Sequence, residues 1–135
     1  MQEEKKKSRK EGDKARLAAA AARLGVLQRR LKDEKIPVII TFDGFDAAGK
    51  GLQISRLIQA LDPRGFDVYA CERSTQEEQL HPFLWRYWIK TPERGRIAIF
   101  DRSWYRSVQV DRFDGLTQKE GMSDAVSYTH LTLPT

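Results

Sequence analysis

The chain is poor in the residues that define several classes of protein. Its 135 residues include one cysteine and two histidines, which leaves no pair for an internal disulfide and no Cys/His spacing typical of zinc sites. No run of eighteen apolar residues predicts a membrane span, and the first residues lack the apolar core of a secretion signal. We therefore expect a cytoplasmic protein. Cys71 lies in a predicted strand with no identifiable base, which favours inert packing over a nucleophilic role.

Positive charge is concentrated in the segment that ends at Pro37. That segment holds twelve Lys and Arg against six Asp and Glu, whereas the remainder holds twelve against thirteen. Residues 1–14 lack an apolar period and are predicted to form a disordered basic extension. Residues 15–32 are predicted to form an amphipathic helix packed on the domain, with an apolar stripe of Leu17, Ala20, Leu24, Leu27 and Leu31. The basic arm either attracts a polyanion such as polyphosphate or nucleic acid, or is a solvated tail.

A glycine-rich loop stands between a predicted strand, Val38 to Phe42, and a predicted helix, Gly51 to Leu61. Its sequence GFDAAGKG has the spacing of a phosphate-binding loop, in which small side chains let backbone N–H groups point into one concavity. The helix dipole and Lys50 add positive charge at the same place. We predict phosphate binding by Gly44, Ala47, Ala48, Gly49, Lys50 and Gly51. A purely structural turn is the alternative interpretation.

One residue departs from the usual loop. Position 51 is Gly where Ser or Thr commonly supplies a hydroxyl to Mg²⁺, so a metal would be held by other side chains. The candidates are Asp46, inside the loop, and Asp101, which follows the predicted strand Arg96 to Phe100. A carboxylate at the carboxyl end of a strand beside the loop is typical of a Walker-B residue. The alternatives are a turn residue for Asp46 and a helix N-cap for Asp101.

The segment after the middle predicted strand, Phe66 to Cys71, also lies at a carboxyl edge of the sheet. Arg73, Ser74 and Thr75 are placed there to bind an acceptor phosphate or base, or Ser74 or Thr75 caps the next helix. The aromatic residues of that helix recur around it without interleaved glycine, which favours core packing over base stacking: Phe83, Trp85, Tyr87 and Trp88. Arg86 among them needs a carboxylate or a phosphate as its partner.

Four segments occur in an order that resembles one family. They are GFDAAGKG at 44–51, DPRGF at 62–66, FLWRYW at 83–88 and FDRSWY at 100–105. Together they resemble the polyphosphate kinase 2 family over residues 27 to about 124. The resemblance implies an α/β protein with a three-layer P-loop kinase fold, a parallel sheet covered by helices on both faces. It further implies Mg²⁺-dependent transfer of a phosphoryl group between inorganic polyphosphate and a nucleotide such as AMP, ADP or GDP, and a homo-oligomeric complete protein.

The resemblance also implies roles for single residues. Asp46, Lys50, Asp101 and Arg102 would be catalytic, with Asp46 and Asp101 as metal ligands and Arg102 in contact with phosphate. Arg106 is the departure, because the family usually has Asn or Gly after the tyrosine and then Arg. A shift of one position rotates a helical side chain by about 100°. We include Arg106 with Arg73 and Thr75 as predicted acceptor-binding residues.

The resemblance and the residues together predict direct phosphoryl transfer without a covalent intermediate. Three other hypotheses remain open at this point. The chain is the non-catalytic half of a tandem protein, which the Arg106 departure favours modestly, or it is an ATP-dependent nucleoside or nucleotide kinase. The third hypothesis is a nucleic-acid-dependent ATPase that uses the basic arm, and only that arm supports it.

The predicted boundaries limit what this polypeptide does alone. Residues 15–124 are predicted to be the N-terminal part of a kinase domain. Residues 125–135 include VSYTHLTLPT, the translation of a transposon-type sequencing adapter, and are predicted to be non-native. Three strands are predicted, and the lid that supplies cations to the transferring group is not among the segments.

We expect this polypeptide on its own to be poorly stable and inactive, because an incomplete sheet leaves apolar surface uncovered. Thermal unfolding and a phosphotransfer assay check this expectation. A cooperative melt together with phosphotransfer activity would refute it.

Overall fold

The computed structural model describes residues 1–45, 47–106 and 108, and Asp46 and the predicted non-native segment 125–135 lie outside the described residues. A three-stranded sheet is built from β1 (Val38–Phe42), β2 (Phe66–Ala70) and β3 (Ile97–Asp101). Its order is β1-β3-β2, and β3 pairs in parallel with both neighbours. The predicted α/β class with a parallel sheet is therefore confirmed.

Five helices accompany the strands in the described part of the chain. They are α1 (Gln2–Glu34), α2 (Lys50–Gln59), α3 (Gln76–Gln79), α4 (Trp85–Trp88) and α5 (Trp104–Arg106), and a single 3₁₀ turn covers Pro63–Gly65. None of the helices in this part of the chain combines the length and the apolar character that a membrane crossing requires.

The central strand β3 is buried because both of its faces are covered. Ile97 and Ile99 point to one face, where they pack with residues of α2 and with Leu24 and Leu31 of α1. Ala98 and Phe100 point to the other face, where they pack with residues of α4 and α5. Because successive side chains of β3 point to opposite faces, this one strand packs against two helical layers. This is the three-layer arrangement that the family resemblance implied.

The predicted element bounds are close to the observed ones. β1 agrees at both ends, β2 ends one residue earlier, and β3 begins and ends one residue later. The largest difference is the helix predicted to carry the aromatic residues, which is divided into α3 and α4. Pro82 lies between the two parts, and a proline lacks the N–H that would continue a helix.

The sequence predicts a disordered extension over residues 1–14, whereas the structure places residues 2–14 in the first part of α1. Every residue up to Ala20 is exposed. Glu and Lys are good helix formers, and Glu3 and Lys7 are spaced for an i,i+4 pair. Extending an existing helix also avoids the cost of nucleation, so a polar segment joined to a packed helix can be helical without a core of its own.

The packed face of α1 differs from the predicted apolar stripe. Leu24 and Leu31 contact the core as predicted, but Leu17 and Leu27 are exposed. The residue between the two packed leucines on this face is Gln28, which is only 8% exposed. A pattern that counts apolar residues cannot identify a polar residue as the centre of a packed face.

Gln28 attaches α1 to the turn before β2. Its Nε2 donates to the carbonyl oxygen of Asp62 at 2.9 Å, and its Oε1 accepts from the N–H of Asp62 at 2.7 Å. Gly65 leaves room for this amide, since a Cβ at that position would clash with Gln28 Nε2. The amide therefore satisfies both backbone groups of Asp62, and no other side chain of equal length reproduces this pairing with both a donor and an acceptor.

We expect Gln28→Ala to destabilise the chain by about 1–3 kcal/mol, because two partly buried hydrogen bonds to the backbone of Asp62 would be lost. Urea unfolding followed by tryptophan fluorescence measures the change. Gln53→Ala is the matched control, since Gln53 is an exposed residue of α2. Equal effects of the two substitutions would contradict the role assigned to the Gln28 amide.

Candidate functional site

The glycines of the 44–51 loop are required by its backbone. Gly44 has φ 153° and Gly49 has φ 82°, conformations that side chains with a Cβ rarely adopt. Gly49 is the N-cap residue of α2, so the chain turns directly from the loop into the helix. The N–H of Ala48 donates to the carbonyl oxygen of Phe45 at 3.0 Å, which closes the loop on itself. The predicted strand, loop and helix are therefore present in the predicted order.

Lys50 lies across the loop that precedes it. Its Nζ donates to the carbonyl oxygen of Gly44 at 2.8 Å and to that of Phe45 at 2.7 Å. The same residue begins α2, where the first N–H groups of a helix have no acceptor within the helix. The ammonium group and the positive end of the helix dipole are thus placed together.

The end of β3 lies beside the end of β1. The register pairs Phe42 with Asp101, and the N–H of Arg102 donates to the carbonyl oxygen of Phe42 at 3.0 Å. Arg102 has φ 65°, a left-handed conformation that costs a non-glycine residue about 1–3 kcal/mol. The backbone therefore changes direction sharply just after Asp101, and this change brings the Arg102 side chain to the same edge.

Asp43 fixes that change of direction and was not predicted. One of its carboxylate oxygens accepts from the N–H of Ser103 at 3.0 Å, and the other accepts from Ser103 Oγ at 2.7 Å. Ser103 is 1% exposed, and its Oγ also accepts from the N–H of Tyr105 at 3.3 Å. Asp43 directly follows β1, so a carboxylate at the carboxyl end of this strand was the available sequence signal.

A cavity of about 250 Å³ opens at this edge, and we call it the loop cavity. Three predicted catalytic residues line it, namely Lys50, Asp101 and Arg102, and the remaining wall is formed by Gly51, Ala70, Cys71 and Glu72. The structure therefore brings a lysine, a carboxylate and an arginine to one cavity, and their catalytic roles stay a prediction. The fourth predicted catalytic residue, Asp46, lies outside the described residues, so its metal role stays a prediction.

The predicted acceptor-binding residues are placed less clearly. Arg73, Thr75 and Arg106 are not among the residues that line the loop cavity. Thr75 forms a capping box with Glu78, in which its side chain accepts from the Glu78 N–H at 3.2 Å and its own N–H donates to the Glu78 carboxylate at 2.9 Å. The capping alternative is therefore realised for Thr75, while Arg73 is exposed and Arg106 belongs to α5.

Arg86 has a carboxylate partner, one of the two alternatives expected from the sequence. Its Nε lies 3.6 Å from Glu78 Oε2, and both side chains are largely buried. Its Nη2 donates to the carbonyl oxygen of Glu72 at 2.8 Å. Arg86 thus holds the segment from Glu72 to Glu78 against α4, and this segment includes one wall residue of the loop cavity.

Of the aromatic residues near α4 that were predicted to be core, Tyr87 is buried. It is 4% exposed and contacts the rings of Phe100 and Trp104 at centroid distances of 6.2 and 5.8 Å. Phe83 and Trp85 are half-buried, and 57% of Trp88 is exposed. Cys71 is buried beside this cluster, and burial raises the pKa of its thiol. A protonated, buried thiol agrees with the predicted packing role.

The residues of the loop cavity fit a hard divalent cation. Within residues 1–45, 47–106 and 108, no three His, Cys, Asp or Glu side chains are grouped to form a complete metal site. Mg²⁺ bound with phosphates needs only one or two carboxylates, because phosphate oxygens and water complete its coordination. Asp101 meets that requirement. A Cβ at Gly51 would meet nothing within 4 Å, so the usual hydroxyl is missing for a reason other than space.

Comparison with known proteins agrees with this geometry. Residues 7–130 match the polyphosphate kinase 2 family. A polyphosphate:AMP phosphotransferase of Pseudomonas aeruginosa is 43% identical over 106 residues, which are 78% of this chain and 21% of that protein. A GDP-polyphosphate phosphotransferase of Mycolicibacterium smegmatis is 43% identical over 77 residues, which are 57% of this chain and 27% of that protein.

Solved structures show the same likeness. A crystal structure of a polyphosphate kinase 2 from Arthrobacter aurescens TC1 superposes with a TM-score of 0.69 and 36% identity, covering 78% of this chain and 41% of that one. A protein from Pseudomonas aeruginosa PA01, described as a polyphosphate kinase 2, superposes with a TM-score of 0.75 and 39% identity, covering 87% of this chain and 24% of that one. The chain spans about a fifth of the length of the polyphosphate:AMP phosphotransferases that it matches. With a family match over most of its length, the chain belongs to the polyphosphate kinase 2 family.

Proposed function

We propose that the chain supplies the phosphate-binding part of a Mg²⁺-dependent phosphotransferase that moves a phosphoryl group between inorganic polyphosphate and a nucleoside mono- or diphosphate. The observation that supports the proposal most directly is the placement of Lys50, Asp101 and Arg102 around one cavity at the N-terminus of α2. Relatives act on AMP, ADP or GDP together with polyphosphate, as their names state.

The loop and α2 would hold the phosphate that is transferred. Backbone N–H groups at the start of α2 and the helix dipole favour an anion, and Lys50 adds a full charge. The Lys50 ammonium group now donates to the carbonyl oxygens of Gly44 and Phe45. A phosphate oxygen is a stronger, charged acceptor for the same ammonium group, so binding would replace one or both of these contacts.

The acidic residues would place the cation that such transfer requires. Mg²⁺ would be held by Asp101 and, as the resemblance predicts, by Asp46, and it would neutralise charge on the transferring group. Asp43 is engaged by Ser103, which makes it a positioning residue for the segment that carries Asp101 and Arg102. Arg102 would contact the equatorial oxygens of the transferred group.

Transfer would be direct, because the Asp101 carboxylate in the wall of the loop cavity would be engaged with the metal ion and the thiol in that wall is buried. Cys71 is in that wall, but it is 5% exposed and burial raises its thiol pKa. The acceptor would enter from the side of Glu72, where Arg73 follows β2 and is exposed. Rate enhancement would then come from positioning and from electrostatic stabilisation.

The alternatives make different predictions for the donor and for turnover. An ATP-dependent nucleoside or nucleotide kinase would use ATP in place of polyphosphate. A non-catalytic half of a tandem protein would bind phosphate without turnover. Activity with each donor, measured beside binding of the same donor, separates the three possibilities.

In the longer protein that we expect to contain this segment, Lys50→Ala or Asp101→Asn should lower transfer from polyphosphate by at least about 100-fold, the scale on which a single electrostatic contact in a transition state acts. Far-UV circular dichroism should be unchanged, because both side chains lie at the surface of a cavity. Rates are measured with polyphosphate and a nucleotide at saturating Mg²⁺.

Lys14→Ala and Asp33→Asn are the matched controls, since both residues are exposed on α1. They remove the same charges from a place outside the loop cavity. Turnover near that of the unmodified protein in either test variant would remove that residue from the catalytic role.

We expect Asp43→Asn to lower stability by about 1–3 kcal/mol, because an amide offers one acceptor oxygen where the carboxylate offers two. The transfer rate should fall with it, since Asp101 and Arg102 would lose their support. A double-mutant cycle with Ser103→Ala measures the coupling. We expect a coupling energy of about 0.5–3 kcal/mol, and strictly additive effects would show that the contact does not position the segment.

A further inference from the structure

A second cavity lies at the opposite edge of the sheet, and we call it the basic pocket. Its volume is about 620 Å³, and it is lined by the C-terminal part of α1, the turn before β2 and the turn before β3. Five cationic side chains stand in its wall against a single carboxylate. They are Arg29, Lys32, Arg64, Arg94 and Arg96, and the carboxylate is that of Asp62.

Two of the five cations already have protein partners. Arg64 Nη2 lies 2.9 Å from Asp62 Oδ2, and Arg96 Nη2 lies 2.9 Å from Asp67 Oδ2. Hydrogen bonds from Arg64 lower the pKa of Asp62 to about 2, so this carboxylate is ionised at neutral pH and its charge is balanced locally. The wall therefore keeps an excess of positive charge from the other three cations.

Arg29, Lys32 and Arg94 are those three. All are exposed, and among the described residues their side chains form no ion pair or hydrogen bond to the protein. Arg29 and Lys32 are three residues apart on α1 and share one helix face. An anion that contacts all three would be attracted by their combined charge.

The backbone that presents these cations is closely packed. Gly95 has φ 81°, and a Cβ there would lie 3.1 Å from the Cα of Lys32. The turn that carries Arg94 is therefore held directly against α1 beside Lys32. The Gln28 amide fixes the other side of the pocket by its two bonds to Asp62. The backbone that carries these cations is therefore fixed before a ligand binds, and binding would have to order only their side chains.

The lining also limits the kind of anion. The described wall contains no aromatic side chain on which a nucleobase would stack, and it is rich in arginine, whose planar group matches the geometry of phosphate oxygens. We propose that the basic pocket binds a stretch of inorganic polyphosphate, at a site separate from the loop cavity. The identity of this ligand rests on the proposed function.

The two sites are too far apart to share one phosphate group. The basic pocket adjoins Arg96, before β3, whereas the loop cavity includes Asp101, at the end of β3. Arg96 and Asp101 are five residues apart along an extended strand, which corresponds to about 17 Å at about 3.3 Å per residue. A polymer can occupy such a site without entering the loop cavity, whereas a single orthophosphate would use only a fraction of the charges.

Binding of tripolyphosphate to the longer protein that we expect to contain this segment, measured by isothermal titration calorimetry at two salt concentrations, tests the proposal. The double variant Arg29→Gln with Arg94→Gln removes two unpaired cations of the pocket. We expect its affinity to fall by about tenfold or more, as expected when charge-assisted hydrogen bonds are lost. Circular dichroism should show the same helix content, because neither side chain contacts the protein through a hydrogen bond.

Arg9→Gln with Arg16→Gln is the matched control, since it removes the same charge from the exposed part of α1. We expect less than about a twofold change in affinity, because the charges lie beyond a Debye length from the pocket at physiological salt. Equal losses in the two double variants would show general attraction and overturn the proposal, and so would unchanged binding in the pocket variant. Equally tight binding of a short single-stranded DNA through Arg29 and Arg94 would overturn the assignment to inorganic polyphosphate.

Lys50→Ala separates this proposal from the proposed function. If Lys50→Ala removes tripolyphosphate binding and the pocket variant does not, the loop cavity is the phosphate site and the basic pocket is not. If the pocket variant removes binding and Lys50→Ala does not, the basic pocket is a binding site and the role proposed for the loop cavity fails. Two sites of comparable affinity, each lost in one variant, would support both.

Discussion

The parallel pairing of β1 with β3 is the constraint on which the site depends. Because the strands run in the same direction, both of their carboxyl ends lie at one edge, and the register places Phe42 beside Asp101. The phosphate loop leaves β1 at that edge, while Asp101 and Arg102 leave β3 there. A slip of one residue would turn Asp101 towards the opposite face of the sheet. The buried apolar residues of β3 oppose such a slip, since they fill the cores on both faces.

Hydrogen bonds beyond the strands position the segments that leave the sheet at this edge. The Asp43 carboxylate accepts twice from Ser103, and the Arg102 N–H donates to Phe42, so β1 holds the chain that follows β3 in a left-handed turn. Such a conformation is costly for arginine and persists because the surrounding contacts offset the cost. Lys50 acts similarly within the loop, where its two carbonyl contacts restrain the segment that would receive phosphate.

The sequence predicted the fold and part of the site because the decisive signals were local. A strand, a glycine-rich loop and a helix in succession identify the phosphate loop, and a carboxylate after a strand identifies Asp101. The Gln28 amide bonds to Asp62, which is 34 positions away, and Asp43 bonds to Ser103, which is 60 positions away. No local sequence pattern predicts such long-range pairs. The helix over residues 2–14 was not predicted, because low hydrophobicity argues against a core but does not argue against a helix.

The distribution of charge along the sequence differs from the distribution of charge in the folded chain. Counted along the sequence, the positive excess belongs to the segment that ends at Pro37, and the remainder is close to neutral. In the folded chain, Arg29 and Lys32 of that segment meet Arg64, Arg94 and Arg96 of the nearly neutral remainder at one pocket. The acidic residues that balance the later segment in the count include Asp101 and Glu72, which lie in the loop cavity at the other edge. Folding thus collects positive charge at the amino edge of the sheet, while the loop cavity at the carboxyl edge combines Lys50 and Arg102 with Asp101 and Glu72. The amino edge would therefore attract a polyanion through its excess of cations, whereas the carboxyl edge offers cations to a phosphate group and carboxylates to a metal ion bound with it.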